Sequence, residues 1–204
     1  MHSENRKYGF MVAGLIATWF VFVFTLSARS VFVQGPASFP VPRVGFALLF
    51  PIVVFVSWFA ASPAFRKYAL SLDVGTLTFL QSWRVVGFAF LALATFGILP
   101  NIFALPAGWG DVAIGLTAPL AALHLAKPGR SFLLIVWQIL GIVDLITAVS
   151  LGVLASPAVH LFGETLTTAP LAFLPLSLIP TFGVPLALIF HFLCIAQIAG
   201  QKSQ

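Results

Sequence analysis

The sequence predicts an all-α integral membrane protein: a bundle of six transmembrane helices with a proline-interrupted segment before the last. Three observations lead there. Hydrophobic residues fill 60% of the 204 positions and charged residues only 7%, with 22 phenylalanines among them. Mean hydropathy is +1.09, so too little polar surface is left to coat a water-soluble globule of this size. The apolar residues gather into runs of about 20, the length that crosses roughly 30 Å of hydrocarbon, and the basic residues stand at the ends of those runs.

The runs cover residues 9–28, 44–61, 76–99, 108–125, 131–154 and 181–199. The connections carry the helix breakers: "QGPASFPVPR", "SPAFRKYALSLDVG", "PNIFALPA", "AKPGR" and "ASPAVHLFGETLTTAP". None is long enough for a separate soluble domain, so residues 1–204 are expected to form one polytopic unit. With the N-terminus inside, Arg6, Lys7, Arg66, Lys67, Lys127, Arg130 and Lys202 fall on the inner side, and only Arg29 and Arg43 on the outer. Basic residues are retained on the cytoplasmic face, so both termini are expected there, in the plasma (inner) membrane. The first run is too long and aromatic for a secretory h-region, and "TLSARS" is a poor cleavage site, so it is read as a span.

Before the last span, Pro170, Pro175, Pro180 and Pro185 recur every fifth residue. Each removes a backbone donor and crowds the preceding turn, so no continuous lipid-facing helix is expected from 171 to 199. The part up to Pro180 lies either at the outer interface or in a broken half-helix packed on the other spans.

Arg84 interrupts a stretch from Thr76 to Leu99 that has no other charge. Its depth in the third span is roughly 12 Å from the inner boundary. A charge that deep faces the bundle and seeks anions or carbonyls. Gln81, three residues earlier, shares its helical face. Asp144, roughly 20 Å deep in the parallel fifth span, lies about 8 Å from Arg84 along the normal, close enough to pair. Gly141, Thr147 and Ala148 give its surroundings a small face for helix approach.

Asp111 follows "ALPAGWG" at the expected outer start of the fourth span, where a first-turn carboxylate complements the free N–H groups or marks the outer mouth of a polar path. Gly115, Ala118 and Ala122 then supply a small packing face. His191, near the middle of the sixth span, is either a hydrogen-bonded core residue or a proton-exchanging group, and Cys194 shares its face. His124 reads as interfacial, and His160 with Glu164 as a sparse outer pair. "WRVVG" at 83–87 and "WQILG" at 137–141 place Trp, a polar residue and Gly at similar depths in parallel spans, a pattern compatible with duplication.

Several chemistries lack their motifs. The four histidines form no di-iron box, no span carries a lysine for a Schiff base, and HExxH, GxSxG, paired aspartate magnesium motifs and CxxC are absent. No cofactor is predicted; a b-type haem between His124 and His191 is conceivable, although their depths differ by roughly 10 Å. The ten scattered Lys and Arg residues form no nucleic-acid footprint. The leading expectation is a small transporter or channel-like protein, with proton coupling open to it through its titratable core. Its polar core would be Arg84, Gln81, Asp144 and His191, with Asp111 at the mouth. Six spans being few for alternating access, a homodimer is expected. The alternatives are a non-catalytic membrane subunit or assembly factor of a larger complex, and an intramembrane enzyme or redox protein acting on a lipid-soluble substrate.

Overall fold

A computed structural model describes residues 2–34, 43–127, 129–163 and 165–201; no strand occurs among them. Residues 35–42 of the first connection, Glu164 and Lys202 lie outside the described residues. Helix α1 spans His2–Ala28, α2 Arg43–Ala61 and α3 Pro63–Ala69. Helix α4, Val74–Phe79, runs through a 3₁₀ segment, Leu80–Gly87, directly into α5, Phe88–Thr95. Helices α6 (Asn101–His124) and α7 (Ser131–Leu154) follow, and a π turn at Ile179–Gly183 opens α8, Val184–Gln201.

Among the described residues, five stretches are long and apolar enough to cross a membrane: Arg6–Ala28, Arg43–Ala61, Val74–Thr95, Ser131–Leu154 and Ile179–Gly200. Large apolar side chains face outward, among them Phe96 (77% exposed), Phe132 (70%) and Phe10 (68%), a surface suited to lipid. Helix α6 is long enough but less apolar, because Gly108, Gly110, Asp111, Thr117 and Pro119 dilute its hydropathy. One face of it is buried from Phe103 to Ala121, while Leu105, Trp109, Leu116, Leu120 and Leu123 face outward. The composite helix 74–95, α6, α7 and α8 form the core bundle, and α1 and α2 lie against its flank.

At the end of the bundle carrying α3, here called proximal, Ser62 caps α3 by accepting from the Phe65 N–H (3.2 Å). Arg66 donates to the last carbonyls of α2, Phe59 (3.0 Å) and Ala60 (2.9 Å). Trp58 stacks on Phe65 with centroids 3.8 Å apart, which ties α2 to α3. Asp73 accepts from the Thr76 N–H and hydroxyl, both 2.7 Å. These bonds, the hydroxyl's first, hold its carboxyl below the ordinary aspartate range, as suits an N-cap.

The third stretch departs from a uniform α-helix, and the departure sets up the site. Thr78, Gln81, Arg84, Gly87 and Phe90 are all buried. At 3.0 residues per turn, every third residue stays on one line, whereas at 3.6 the line would drift round the helix. The 3₁₀ segment therefore aims Gln81 and Arg84 at the same neighbours. It also lets the backbones of 74–95 and α6 nearly touch. A Cβ on Gly115 would lie 2.5 Å from the Val85 nitrogen and 2.9 Å from the Arg84 carbonyl carbon. One on Gly87 would lie 2.5 Å from the Asp111 Cβ.

The proline-rich stretch does not run down between the spans as a half-helix. Thr168 donates to the Gly152 carbonyl at the distal end of α7 (2.7 Å), and Ser177 donates to Ser27 at the distal end of α1 (2.9 Å). The segment crosses the distal end, and helical backbone resumes at Ile179. Pro185 has no N–H for the Thr181 carbonyl four residues back. The Trp19 indole, from α1, supplies that donor at 3.0 Å.

Candidate functional site

Four helices deliver one polar cluster. Arg84, fully buried, comes from the 3₁₀ segment, Asp111 from α6, Asp144 from α7 and His191 from α8. Arg84 Nε donates to Asp111 Oδ1 at 2.7 Å, and Arg84 Nη2 donates to Asp144 Oδ2. Arg84 Nη1 lies 3.3 Å from both the Gly141 carbonyl and His191 Nε2. A guanidinium has only donors, so His191 Nε2 accepts and Nδ1 carries the ring proton. Nδ1–H then points to Gln138 Oε1 at 2.5 Å, Gln138 Nε2 donates to Thr78 Oγ1 at 3.0 Å, and Thr78 donates to the Val74 carbonyl at 2.8 Å. Each donor meets an acceptor in one consistent direction, from the cluster towards the proximal end.

Small residues make the space. A Cβ on Gly110 would overlap the Asp144 carboxylate, and one on Gly141 would overlap the His191 ring. Arg84 takes one oxygen of each carboxylate, Asp111 Oδ1 and Asp144 Oδ2, and no donor among the described residues meets the other, Asp111 Oδ2 or Asp144 Oδ1. With both carboxylates ionised, one guanidinium leaves the cluster one negative charge in excess, to be met by a proton or another cation.

The structure thus gathers Arg84, Asp111, Asp144 and His191, with Gln81 one 3₁₀ turn away. Gln81 Nε2 donates to the Ala187 carbonyl at 3.0 Å, while its Oε1 is buried and unpartnered. Asp111 is displaced from its expected place. Helix α6 begins at Asn101 rather than near 108, which puts Asp111 about 15 Å along the helix and against Arg84. It is neither a first-turn carboxylate nor the mouth of a path, because "PNIFALPA" is mostly helix despite Pro106.

Gln138 and Thr78 complete the relay and were not expected as site residues. Their signal was present: Arg84 and Gln138 each follow the Trp of the paired "WRVVG" and "WQILG" segments, and they flank His191 on its two ring nitrogens. Cys194 lies beside Thr78 (3.8 Å), not in the charged cluster. His124 is exposed at the proximal end of α6, whereas both His191 nitrogens are engaged inside the bundle. Among the described residues no three His, Cys, Asp or Glu side chains are grouped for a metal.

No curated protein and no solved structure matches the chain. A family model described as Domain of unknown function (DUF8737) matches residues 41–199, a stretch holding every residue of the cluster and the relay. The chain belongs to that family.

Proposed function

We propose that this is a proton-coupled membrane transporter whose working site is the Arg84–Asp111–Asp144–His191 cluster. The observation carrying the proposal is charge imbalance: two carboxylates share one guanidinium in a helical core, and each keeps an oxygen free of donors. A group meant only to lock helices is best served by balanced charge, since an unbalanced one costs several kcal/mol to bury. Intramembrane ionisable clusters of this kind mark ion and proton pathways. In this reading all six helical stretches span the plasma (inner) membrane, the proximal end is cytoplasmic, and two copies associate. Protons reach Asp111 and Asp144 from the distal side. The 3₁₀ segment supplies the moving part: relaxing eight residues from about 2.0 to about 1.5 Å rise shortens it by about 4 Å and turns Arg84 away from the carboxylates.

The test uses wild-type and Asp144→Asn protein in liposomes holding a trapped pH dye, with proton entry driven by a potassium diffusion potential. With no substrate present the cluster is expected to pass protons uncoupled, so wild-type vesicles acidify faster than protein-free ones and Asp144→Asn vesicles no faster. Wild-type vesicles indistinguishable from empty ones would contradict the proposal. The reading as a non-catalytic membrane subunit is favoured by one observation, that Arg84 meets four different partners. It predicts no proton entry in either protein.

A further inference from the structure

A cavity of about 120 Å³ runs from the distal loops down to the cluster. Phe90, Phe103, Leu145 and Val149 contribute apolar walls, and the only ionisable side chain lining it among the described residues is Asp111. Asp111 is 4% exposed; its Oδ1 is held by Arg84 and its Oδ2 has no donor. Towards the distal end the same wall includes Ser156, 6% exposed, whose hydroxyl is buried without a partner. One buried hydroxyl, that of Ser156, thus stands unsatisfied along the channel, although buried polar groups are ordinarily hydrogen-bonded, and at the inner end Asp111 Oδ2 meets no donor.

The chemistry narrows the occupant. Anions are repelled by a cluster in which two carboxylates outnumber one guanidinium. A bare calcium or magnesium ion needs six or more oxygen ligands, which these walls do not offer, and among the described residues no three His, Cys, Asp or Glu side chains are grouped for another metal. Engineered apolar cavities of about 150 Å³ hold benzene, so the volume suits a compact organic molecule. The excess negative charge calls for one positive charge at its inner end.

We infer that this cavity binds a small monovalent organic cation, an ammonium or pyridinium of roughly benzene size, whose charge replaces a proton at the Asp111–Asp144 carboxylates. The inference rests on the transport reading and names its substrate class. The exchanging carboxylates, from α6 and α7, meet Arg84 from the 3₁₀ segment, and His191 from α8 lies behind it on Arg84 Nη1. The cation enters from the distal side, settles against Asp111 Oδ2, and one proton leaves the cluster.

Isothermal titration of the purified protein with N-methylpyridinium tests this. Its charge is permanent, so any proton released comes from the protein and is counted by repeating the titration in buffers of different ionisation heat. Binding is expected with release of up to one proton per cation, with toluene, the neutral isostere, failing to compete. Asp111→Asn is expected to weaken binding at least about tenfold. Val149→Phe fills the cavity away from the charges and is expected to weaken it similarly, which keeps the test decisive if Asp111→Asn does not fold. Effective competition by toluene, or full affinity in Val149→Phe, would overturn the cation site. Binding without proton release would overturn the exchange. Failure of N-methylpyridinium to bind, while wild-type vesicles still take up protons, overturns the cation class alone and leaves proton-coupled transport standing.

Discussion

Arg84→Gln is expected to destabilise the protein by about 3–5 kcal/mol, the usual cost of removing one partner from a buried ion pair, read as a fall in thermal midpoint of the purified protein. The cause is the pair of carboxylates left behind. Asp111 and Asp144 would face each other's charge with no guanidinium between them, in a region where Asp111 is 4% exposed. Adding Asp144→Asn should recover only part of the loss, because Asp111 still takes the Arg84 Nε bond and would stay unpaired. The triple variant Arg84→Gln, Asp111→Asn, Asp144→Asn should recover most of it. Recovery already complete in the double variant would show that Asp111 carries no charge that matters. Three independent, additive losses would show that the groups are not coupled.

Gly115→Ala is expected to cost about 1–3 kcal/mol, the range for overpacking a tight core, and Gly115→Leu more. The added carbon meets backbone, the Val85 nitrogen at 2.5 Å, and backbone in two packed helices cannot turn aside as a side chain can. The damage should also reach the site, because the displaced residues 84 and 85 belong to the 3₁₀ segment that aims Arg84. Gly14, by contrast, has nothing near its absent side chain, so Gly14→Ala should leave the thermal midpoint unchanged or slightly raised, α1 being helical there. Equal midpoints for Gly115→Ala and Gly14→Ala would contradict the backbone-contact account.

How much of this was legible beforehand varies from residue to residue. Arg84 and Asp144 could be placed together because helical rise converts position in a span into depth, and parallel spans share a depth scale. Asp111 could not. Pro100 and Pro106 bracket "PNIFALPA", and a proline reads equally as a loop breaker or as a residue tolerated inside a membrane helix whose neighbours satisfy the freed carbonyl. That ambiguity moved the start of α6 by about two turns and moved Asp111 with it. The 3₁₀ segment was hidden for another reason: over one turn, periods of 3.0 and 3.6 select the same neighbours, so Gln81 beside Arg84 fits both. Only the longer series Thr78, Gln81, Arg84, Gly87 and Phe90 separates them, and its members differ too much in chemistry to stand out as a repeat. His191 was visible as a lone intramembrane histidine, but its partners come from two other helices, Arg84 on one ring nitrogen and Gln138 on the other.

The dense core bundle also explains why α1 reads most clearly and contributes least to the site. Its apolar run is free of charge and mostly faces outward, and it meets the rest through aromatic contacts such as Tyr8 with Tyr68 and Phe20 with Phe182 and through the polar ties of Trp19 and Ser27. Helix α6 is the converse. The glycines and the aspartate that blur its hydropathy are what let neighbouring helices approach and what bring a carboxylate to Arg84.

The central claim is that the cluster holds an exchangeable proton because one guanidinium cannot balance two carboxylates. Infrared difference spectroscopy of the purified protein in lipid, between acid and alkaline buffer, measures this directly. The account predicts a protonated carboxylic-acid carbonyl band that shifts on deuteration, disappears at alkaline pH, and is absent from a folded Asp111→Asn, Asp144→Asn double variant. A spectrum with no such band at any pH where the wild-type protein is folded, or one identical in the double variant, would contradict it.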